Sequence, residues 1–120
     1  MALHQSGEDY LEAILELKEN KGMVRSIDVA HHLGYSKPSV SRAVSILKEN
    51  GYITVESDGR LELTEAGKKV AWEISERHRL LTGWLVSLGV PEGIAAEDAC
   101  KIEHDLSPVT FECLKRHMMK

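Results

Sequence analysis

Three side chains near the end of the sequence could hold one metal ion. Cys100, Glu103 and His104 stand at positions i, i+3 and i+4, and on a helix this spacing directs all three side chains to one face. They offer a thiolate, a carboxylate and an imidazole, which are donors for divalent transition metals. A free cysteine is, however, commonly a small core residue. On the triplet alone, a metal site and a structural role both stay open.

Other candidate ligands lie far from this triplet in the sequence. Asp9 and Glu12 form an acidic pair at i and i+3 in an apolar-periodic segment near the start, and a helix would place them on one face. His78 stands late in a long helical segment and could join the triplet. Each also has an ordinary alternative: Asp9 could cap its helix, Glu12 could face solvent, and His78 could pair with a carboxylate.

The middle of the chain carries the pattern of a helix-turn-helix. Ser26 is expected to cap a short helix over 27–32, and Gly34 ends it. Ser36 is expected to cap the next helix, which ends at residues 50–51. Two short helices joined by a few residues are typical of a helix-turn-helix.

A β-hairpin is expected directly after these helices. The β-rich runs 52–55 and 60–63 flank Asp58 and Gly59, and an Asp-Gly pair between two such runs is a strong hairpin signal. A hairpin in this place is a wing. The fold class that follows is mainly α with a small β-hairpin wing, in which a winged helix-turn-helix precedes further helices.

Four more helices are predicted from the capping residues, glycines and prolines at their ends. Ser6 is expected to cap the first helix of the chain, and Thr64 is expected to cap a long one. The apolar stripe of the long helix includes either Trp72 or Ile74 and runs to Leu88. The limits of the four helices are, in order, 6–22, 64–89, 91 to about 106, and 108 towards the C-terminus.

The second helix of the helix-turn-helix begins with small and polar residues, as a recognition helix requires. Arg42 is the best candidate for a guanine contact, because its fork matches two acceptors. Arg60 at the wing tip is placed to reach the DNA backbone or a minor groove. The alternative is a helical hairpin whose polar residues only face solvent. The candidate DNA-contacting residues are Ser36, Lys37, Pro38, Ser39, Ser41, Arg42 and Arg60.

Charge and composition restrict the function classes. The 120 residues carry a net charge of −4, yet residues 21–69 hold eight Lys or Arg against six acids, and a local basic surface suffices to engage phosphates. Two cysteines do not make a disulfide framework. No long apolar run and no targeting segment is visible, so a cytoplasmic protein with no membrane partner is expected.

With these motifs established, the chain resembles the family of the diphtheria toxin repressor and the manganese transport regulator, which are metal-dependent transcriptional repressors. The resemblance covers roughly residues 5–115, and the order and spacing of its motifs make it specific. The matching segments are EDYLE at 8–12, KPSVS at 37–41, GRLELT at 59–64, T-x-x-GK at 64–68, RHRLL at 77–81 and CKIEH at 100–104.

This resemblance implies a homodimer built on the helices after His78. It divides the chain into a winged helix-turn-helix DNA-binding domain over 1–70 and a helical dimerisation and metal-binding domain over 71–120. It implies no enzyme activity. The metal ligands that it implies are Asp9, Glu12, His78, Cys100, Glu103 and His104.

The ligand types bear on the choice of ion. A thiolate favours iron, cobalt, nickel or zinc over manganese, whereas carboxylates suit manganese and iron. Fe(II) satisfies both sets and is expected to be the cofactor, with Mn(II) as the alternative. Other divalent transition metals are expected to bind in vitro.

The function expected from the sequence is therefore a metal-activated repressor of metal-homeostasis genes, which binds a palindromic operator in double-stranded DNA. A metal-independent winged-helix regulator, with Cys100 buried and inert, is the first alternative. A metal-dependent hydrolase is a second, although a catalytic metal needs an open position beside a substrate pocket. A protein-interaction module is a third.

Overall fold

The computed structural model of this protein describes residues 5–118. The chain divides into two compact units, of which the first ends at Trp72 and the second begins at Glu73. None of the described helices combines the length and the apolar character that crossing a membrane requires. In chain order the elements are α1 Gln5–Lys21, α2 Ser26–Leu33, α3 Lys37–Glu49, β1 Ile53–Val55, β2 Leu61–Leu63, α4 Glu65–Ser87, α5 Glu92–Ile102 and α6 Pro108–Met118.

The expected fold class is confirmed. Helices α2 and α3 form the helix-turn-helix, and Gly34 closes α2 in the left-handed conformation at φ 73°, which glycine adopts without a Cβ penalty. Ser36 caps α3 as predicted, because its hydroxyl oxygen accepts a hydrogen bond from the backbone N–H of Ser39 at 3.3 Å.

Two predicted caps are wrong. Helix α1 begins at Gln5, so Ser6 lies inside its first turn. Helix α2 begins at Ser26 itself, and Arg25 occupies the position before it. The carboxylate of Asp28 accepts a hydrogen bond from the backbone N–H of Arg25 at 2.9 Å. That bond satisfies a helix-end donor from inside the helix, so the hydroxyl of Ser26 is not needed as the cap.

The wing is a two-stranded antiparallel hairpin. Ile53 pairs with Leu63 and Val55 with Leu61, and Ile53, Leu61 and Leu63 are buried. The backbone N–H of Leu61 also donates to the carbonyl of Val24 at 2.7 Å. The segment just before α2 therefore lies along the wing and holds it against the helix-turn-helix.

One hydrophobic core unites the helices and the wing of the first unit. Helix α3 turns an apolar face inward, with Val40, Val44 and Leu47 buried and Ala43 partly buried against them. Since a helix places residues three and four apart on one side, the same spacing leaves its polar face outside. The fully buried side chains of α1, α3 and the wing are Leu11, Ile14, Val40, Ile53 and Leu61.

Helix α4 begins in direct contact with the residues that precede β1. The hydroxyl of Thr64 donates to the carbonyl of Gly51 at 2.7 Å and accepts from the backbone N–H of Gly67 at 3.2 Å, so the predicted cap is confirmed. A Cβ atom on Gly67 would lie 2.1 Å from the carbonyl oxygen of Tyr52. Only glycine allows so close an approach of the helix to the backbone that precedes β1.

The buried face of helix α4 contains Ile74 and not Trp72. Ile74 is buried and Leu81, two turns later, is 1% exposed, so these two residues mark the inner face of α4. Trp72 is 52% exposed, so it does not belong to the buried stripe. Leu88, at the end of the predicted apolar stripe, is 64% exposed in the single chain. His78 is four residues after Ile74 and therefore lies on the inner face.

Helix α5 is shorter than predicted. It ends at Ile102, and a turn over 103–106 leads to α6. Glu103 keeps right-handed helical dihedrals, and its N–H bonds to the carbonyl of Ala99 at 2.9 Å. The backbone N–H of Asp105 instead bonds to the carbonyl of Ile102 at 3.0 Å, which is the tighter pattern of a closing turn.

Candidate metal centre and nucleic-acid interface

The end of α5 gathers three potential ligands in the second unit. Each of Cys100, Glu103 and His104 offers one donor atom, and these donor atoms lie within 4.8 Å of one another. The last regular turn of α5 produces this arrangement, since the helical conformation continues through Glu103. Cys100 is exposed, whereas Glu103 is 0% exposed and the side chain of His104 is 2% exposed. Two donors are thus buried and one faces solvent.

His78 on α4 joins this cluster. Its Nδ1 atom lies 2.8 Å from Oε2 of Glu103, and Nε2 of His104 lies 3.4 Å from Oε1 of the same carboxylate. Placing a carboxylate in a dry interior is costly unless a cation or hydrogen bonds compensate it. The thiol of Cys100, the carboxylate of Glu103 and the imidazole of His104 therefore fit a divalent transition metal in both ligand type and spacing, and the imidazole of His78 adds a fourth donor of suitable type.

The acidic pair lies in the first unit. Asp9 and Glu12 stand one turn apart on α1, and both are partly buried. They flank Tyr10 and Leu11, which are core residues. The pair is therefore carried by a helix that the core holds firmly.

Arg77 is a residue of this region to which the sequence interpretation assigned no role. Its Nη1 atom donates to the carbonyl of Glu103 at 2.9 Å and to the carbonyl of Leu106 at 2.8 Å. Its guanidinium lies 5.2 Å from the centre of the Phe111 ring, within the range of a cation–π contact. The one sequence feature that could have drawn attention to Arg77 is its place directly before His78.

The start of α3 presents the predicted DNA-contacting side chains to solvent. Val40 between them is buried, so the polar residues must point outward. The hydroxyl of Ser36 also contacts the hydroxyl of Ser39 at 2.9 Å, which means that capping already engages these two serines. The exposed set is Ser36, Lys37, Pro38, Ser39, Ser41 and Arg42.

Next to this helix start is a cleft that extends the polar surface to α2. Ser26, Lys37 and Ser41 line it together with apolar neighbours. The sequence interpretation used Ser26 only as a cap and so did not include it in the DNA-reading surface. Its place at the first position of α2 puts it beside the recognition helix instead.

The wing carries a small charge cluster. Nε of Arg60 lies 2.9 Å from Oδ2 of Asp58, and hydrogen bonds from the backbone and then the side chain of Arg60 hold the pKa of Asp58 below its usual range. Arg25 pairs with Arg60 through a β-bridge and donates from Nε to the carbonyl of Asp58 at 3.3 Å. Arg25 is exposed and was not singled out from sequence, although it immediately precedes the helix-turn-helix.

Two family models cover nearly the whole chain. The first, described as "Iron dependent repressor, N-terminal DNA binding domain", matches residues 2–61. The second, described as "Iron dependent repressor, metal binding and dimerisation domain", matches residues 64–120. The gap between the two matches falls just before α4.

Similar proteins of other organisms are transcriptional regulators and not enzymes. An uncharacterized HTH-type transcriptional regulator of Methanocaldococcus jannaschii is 38% identical over 120 residues, covering 98% of this chain and 96% of its own. The transcriptional regulator MntR of Escherichia coli O157:H7 is 34% identical over 113 residues, and the match covers 94% of this chain and 73% of that regulator. The HTH-type transcriptional regulator MntR of Bacillus subtilis is 39% identical over 102 residues, and the match covers 85% of this chain and 72% of that regulator.

Solved structures of metal regulators share the fold. The manganese regulator SloR superposes with a TM-score of 0.83 at 28% identity over 98% of this chain. IdeR of T. acidophilum superposes with a TM-score of 0.80 over 100% of this chain, and its 23% identity supports the fold alone. The chain spans 54% of the SloR chain and 56% of the IdeR chain, or about half their lengths. The matches to both halves of the sequence, joined with the winged fold, show that this chain belongs to the iron-dependent repressor family of metal-dependent transcriptional repressors.

Proposed function

We propose that Fe(II) or Mn(II) switches this repressor into its DNA-binding form and so controls metal-homeostasis genes. The observation that carries the proposal is the buried carboxylate of Glu103, which contacts two imidazoles and lies beside the thiol of Cys100. The match to a metal-binding and dimerisation domain supports it. The same match disfavours a metal-independent regulator, and the relatives disfavour a hydrolase.

The ligand set that we propose draws on both halves of the chain. The DNA-binding domain over 1–70 would supply the acidic pair of α1, and the dimerisation and metal-binding domain over 71–120 would supply the remaining ligands. When bound, the ion supplies a divalent positive charge and directional coordination bonds. The proposed ligands are Asp9, Glu12, His78, Cys100, Glu103 and His104.

Ligands from both domains would couple metal occupancy to DNA reading. Asp9 and Glu12 would tie the DNA-binding domain to the dimerising domain, and in a homodimer this fixes the distance between the two copies of α3. Half-sites one helical turn apart, about 34 Å, can be read together only at a matching distance. A palindromic operator is therefore the expected target, and the cytoplasm, where a repressor meets chromosomal DNA, is the proposed location.

The choice between the two ions depends on Cys100. Its thiolate favours iron, while the carboxylates accommodate either ion. The names of the relatives, MntR and manganese regulator SloR, favour manganese. We place Fe(II) first because the softer donor is a property of this chain itself.

Anaerobic titration of metal into the protein, with operator binding as the readout, tests the proposal. Fe(II) is expected to tighten binding to a palindromic promoter by roughly 5- to 150-fold, the range typical of coupled sites, and Mn(II) by less. Identical affinity in chelator and in saturating Fe(II) and Mn(II) would show a metal-independent regulator. No retardation of DNA at low salt would instead indicate a protein-interaction module.

A substitution at Cys100 separates a ligand from an inert thiol. The Cys100→Ser protein keeps the size of the side chain but loses the thiolate. We expect the thiolate-to-metal charge-transfer absorption of the Co(II) form to disappear and the preference for Fe(II) over Mn(II) to narrow. The matched control is Cys113→Ser, since Cys113 is a second exposed cysteine, and its Co(II) spectrum should equal that of the wild type.

Two arginine substitutions test the DNA-reading surface. Arg42→Ala is expected to relax base preference at one position of the operator, because a bidentate contact to guanine discriminates by about 1–3 kcal/mol. Arg60→Ala is expected to weaken binding to all sequences similarly and to lower the salt slope by about one. Competition binding to single-base operator variants at several salt concentrations measures both effects. A uniform loss with Arg42→Ala would move that residue to the backbone contacts.

Exposed apolar side chains of the second unit support the homodimer. Val86, Leu88, Ile94 and Val109 are between 43% and 76% exposed, and in a homodimer built on these helices such apolar side chains would be covered. Leu88→Asp is expected to shift the protein towards monomer and to abolish cooperative operator binding. Ile46→Asp in the first unit, at a side chain that is 51% exposed, is the matched control and should leave the dimer intact. Analytical ultracentrifugation of both variants at several protein concentrations distinguishes monomer from dimer.

A further inference from the structure

The turn after α5 depends on a side chain from another helix. The last carbonyls of a helix have no partner within it, and residues 103–107 lie between the end of α5 at Ile102 and the start of α6 at Pro108. The carbonyls of Glu103 and Leu106, at the two ends of this turn, both accept hydrogen bonds from Nη1 of Arg77, at 2.9 Å and 2.8 Å. One nitrogen of α4 therefore bonds to both ends of the turn.

Arg77 is itself fixed in place. Its guanidinium lies 5.2 Å from the centre of the Phe111 ring on α6, so the side chain links α4, the turn and α6. Its positive charge is also placed favourably at the C-terminal end of α5, where the helix dipole is negative. The residue that follows it on α4 is His78, which contacts Glu103 at 2.8 Å.

We infer that Arg77 is a positioning residue for the metal centre: it presets the turn that carries Glu103 and His104 before metal binds. The inference rests on the proposed metal site. Without these two hydrogen bonds, the backbone of the turn has to be ordered at the moment of binding, and that ordering reduces metal affinity. Partners of ligands, and not only ligands, typically account for 10- to 100-fold in metal affinity.

Because Arg77 is positively charged, the direction in which its removal changes the metal affinity is informative. A cation near a divalent metal weakens binding by repulsion, so removal of the charge alone would tighten it. Arg77→Met keeps an unbranched apolar stem against Phe111 but loses the charge and both hydrogen bonds. Weaker metal binding in this variant therefore reports lost positioning, whereas tighter binding would overturn the inference.

The experiment is a Co(II) titration of the whole protein against a competing chelator, at a temperature at which the apo forms are fully folded by circular dichroism. We expect Arg77→Met to bind Co(II) about 10- to 100-fold more weakly. At saturation its absorption spectrum should keep the thiolate charge-transfer band of the wild type, because the ligands are unchanged. Arg116→Met on α6, whose Nε reaches only the carbonyl of Glu112 at 3.4 Å, is the matched control and should bind as the wild type does.

Arg77→Lys tests the positioning role of Arg77 if the Arg77→Met protein does not fold. It keeps the charge but lacks the planar fork of donors, so a smaller loss in Co(II) affinity than that of Arg77→Met is expected. A Co(II) affinity within twofold of the wild type in a folded variant overturns the inference while the metal site itself stands. A wild-type protein that binds no Co(II) would instead overturn the proposed function.

Discussion

Replacing Glu103 with glutamine is expected to abolish the response of operator binding to metal. The carboxylate of Glu103 contacts His78 at 2.8 Å and His104 at 3.4 Å and is 0% exposed, so it lies at the centre of the cluster. Glutamine has nearly the same volume but no negative charge, and neutral amides are poorer ligands for divalent transition metals. The loss in metal affinity should exceed the roughly 10- to 100-fold that a ligand's partner accounts for.

The measurement is operator affinity in chelator and in saturating Fe(II), with metal affinity from a Co(II) titration. Binding in chelator should match that of the wild type, because the fold and the recognition helix are unchanged. Glu97→Gln is the matched control, since Glu97 lies on the same helix and is exposed, and it should respond to metal normally. A Glu103→Gln protein with the wild-type response would show that the assigned site is wrong.

The second large effect is expected on stability, from Gly67→Ala. The new Cβ atom would lie 2.1 Å from the carbonyl oxygen of Tyr52 and 3.3 Å from Cδ2 of Leu63. Overpacking typically costs about 1–3 kcal/mol, and here the obstacle is backbone, which cannot rotate away. We therefore expect a loss of about 3 kcal/mol or more in the free energy of unfolding, with separation of α4 from the start of the wing.

Gly83→Ala on the same helix provides the opposite expectation. A Cβ at this position would meet no atom within 4 Å beyond its chain neighbours and the backbone of its own helix, so alanine adds helix propensity without a clash. The expected gain is about 0.5–1 kcal/mol. Urea unfolding of both variants at one protein concentration gives the comparison. Equal changes in the two variants would mean that helix propensity, and not the contact with Tyr52, governs position 67.

Features with a local cause could be predicted from the sequence. The caps at Ser36 and Thr64 and the hairpin around Gly59 each depend on residues a few positions apart, and the structure confirms them. The wrong predictions have two kinds of cause: a neighbouring side chain that takes over the predicted role, or a contact with a distant part of the chain. Asp28 bonds to the backbone of Arg25 and displaces Ser26 from the cap position, and no pattern within α5 shows that the helix ends at Ile102.

The residues of the candidate site also divide into those that local spacing could predict and those that distant contacts bring together. The spacing of Cys100, Glu103 and His104 predicted that they would share a helix face, and their donors do lie together. The place of His78 late in the long helix suggested only that it could join the triplet, and the family resemblance then implied it as a ligand, because a contact across 25 residues of sequence has no periodic signature. The role of Arg77 could not be predicted either, since its two acceptors are backbone carbonyls that come into reach only when α4 and the turn pack together.

We expect the ion pair on the wing to affect how the repressor searches a genome. Every exposed cation increases attraction to the vast excess of wrong sites, and that excess competes with the operator for protein. Asp58 lies against Arg60 at 2.9 Å and shields its charge at long range, as does the net charge of −4 on the whole chain. An exposed pair of this kind is worth only about 0–1 kcal/mol, so a phosphate in contact can take the place of Asp58. A wing that contacts the DNA backbone through Arg60, as we propose, would then bind the operator once docked while holding little protein on the rest of the chromosome.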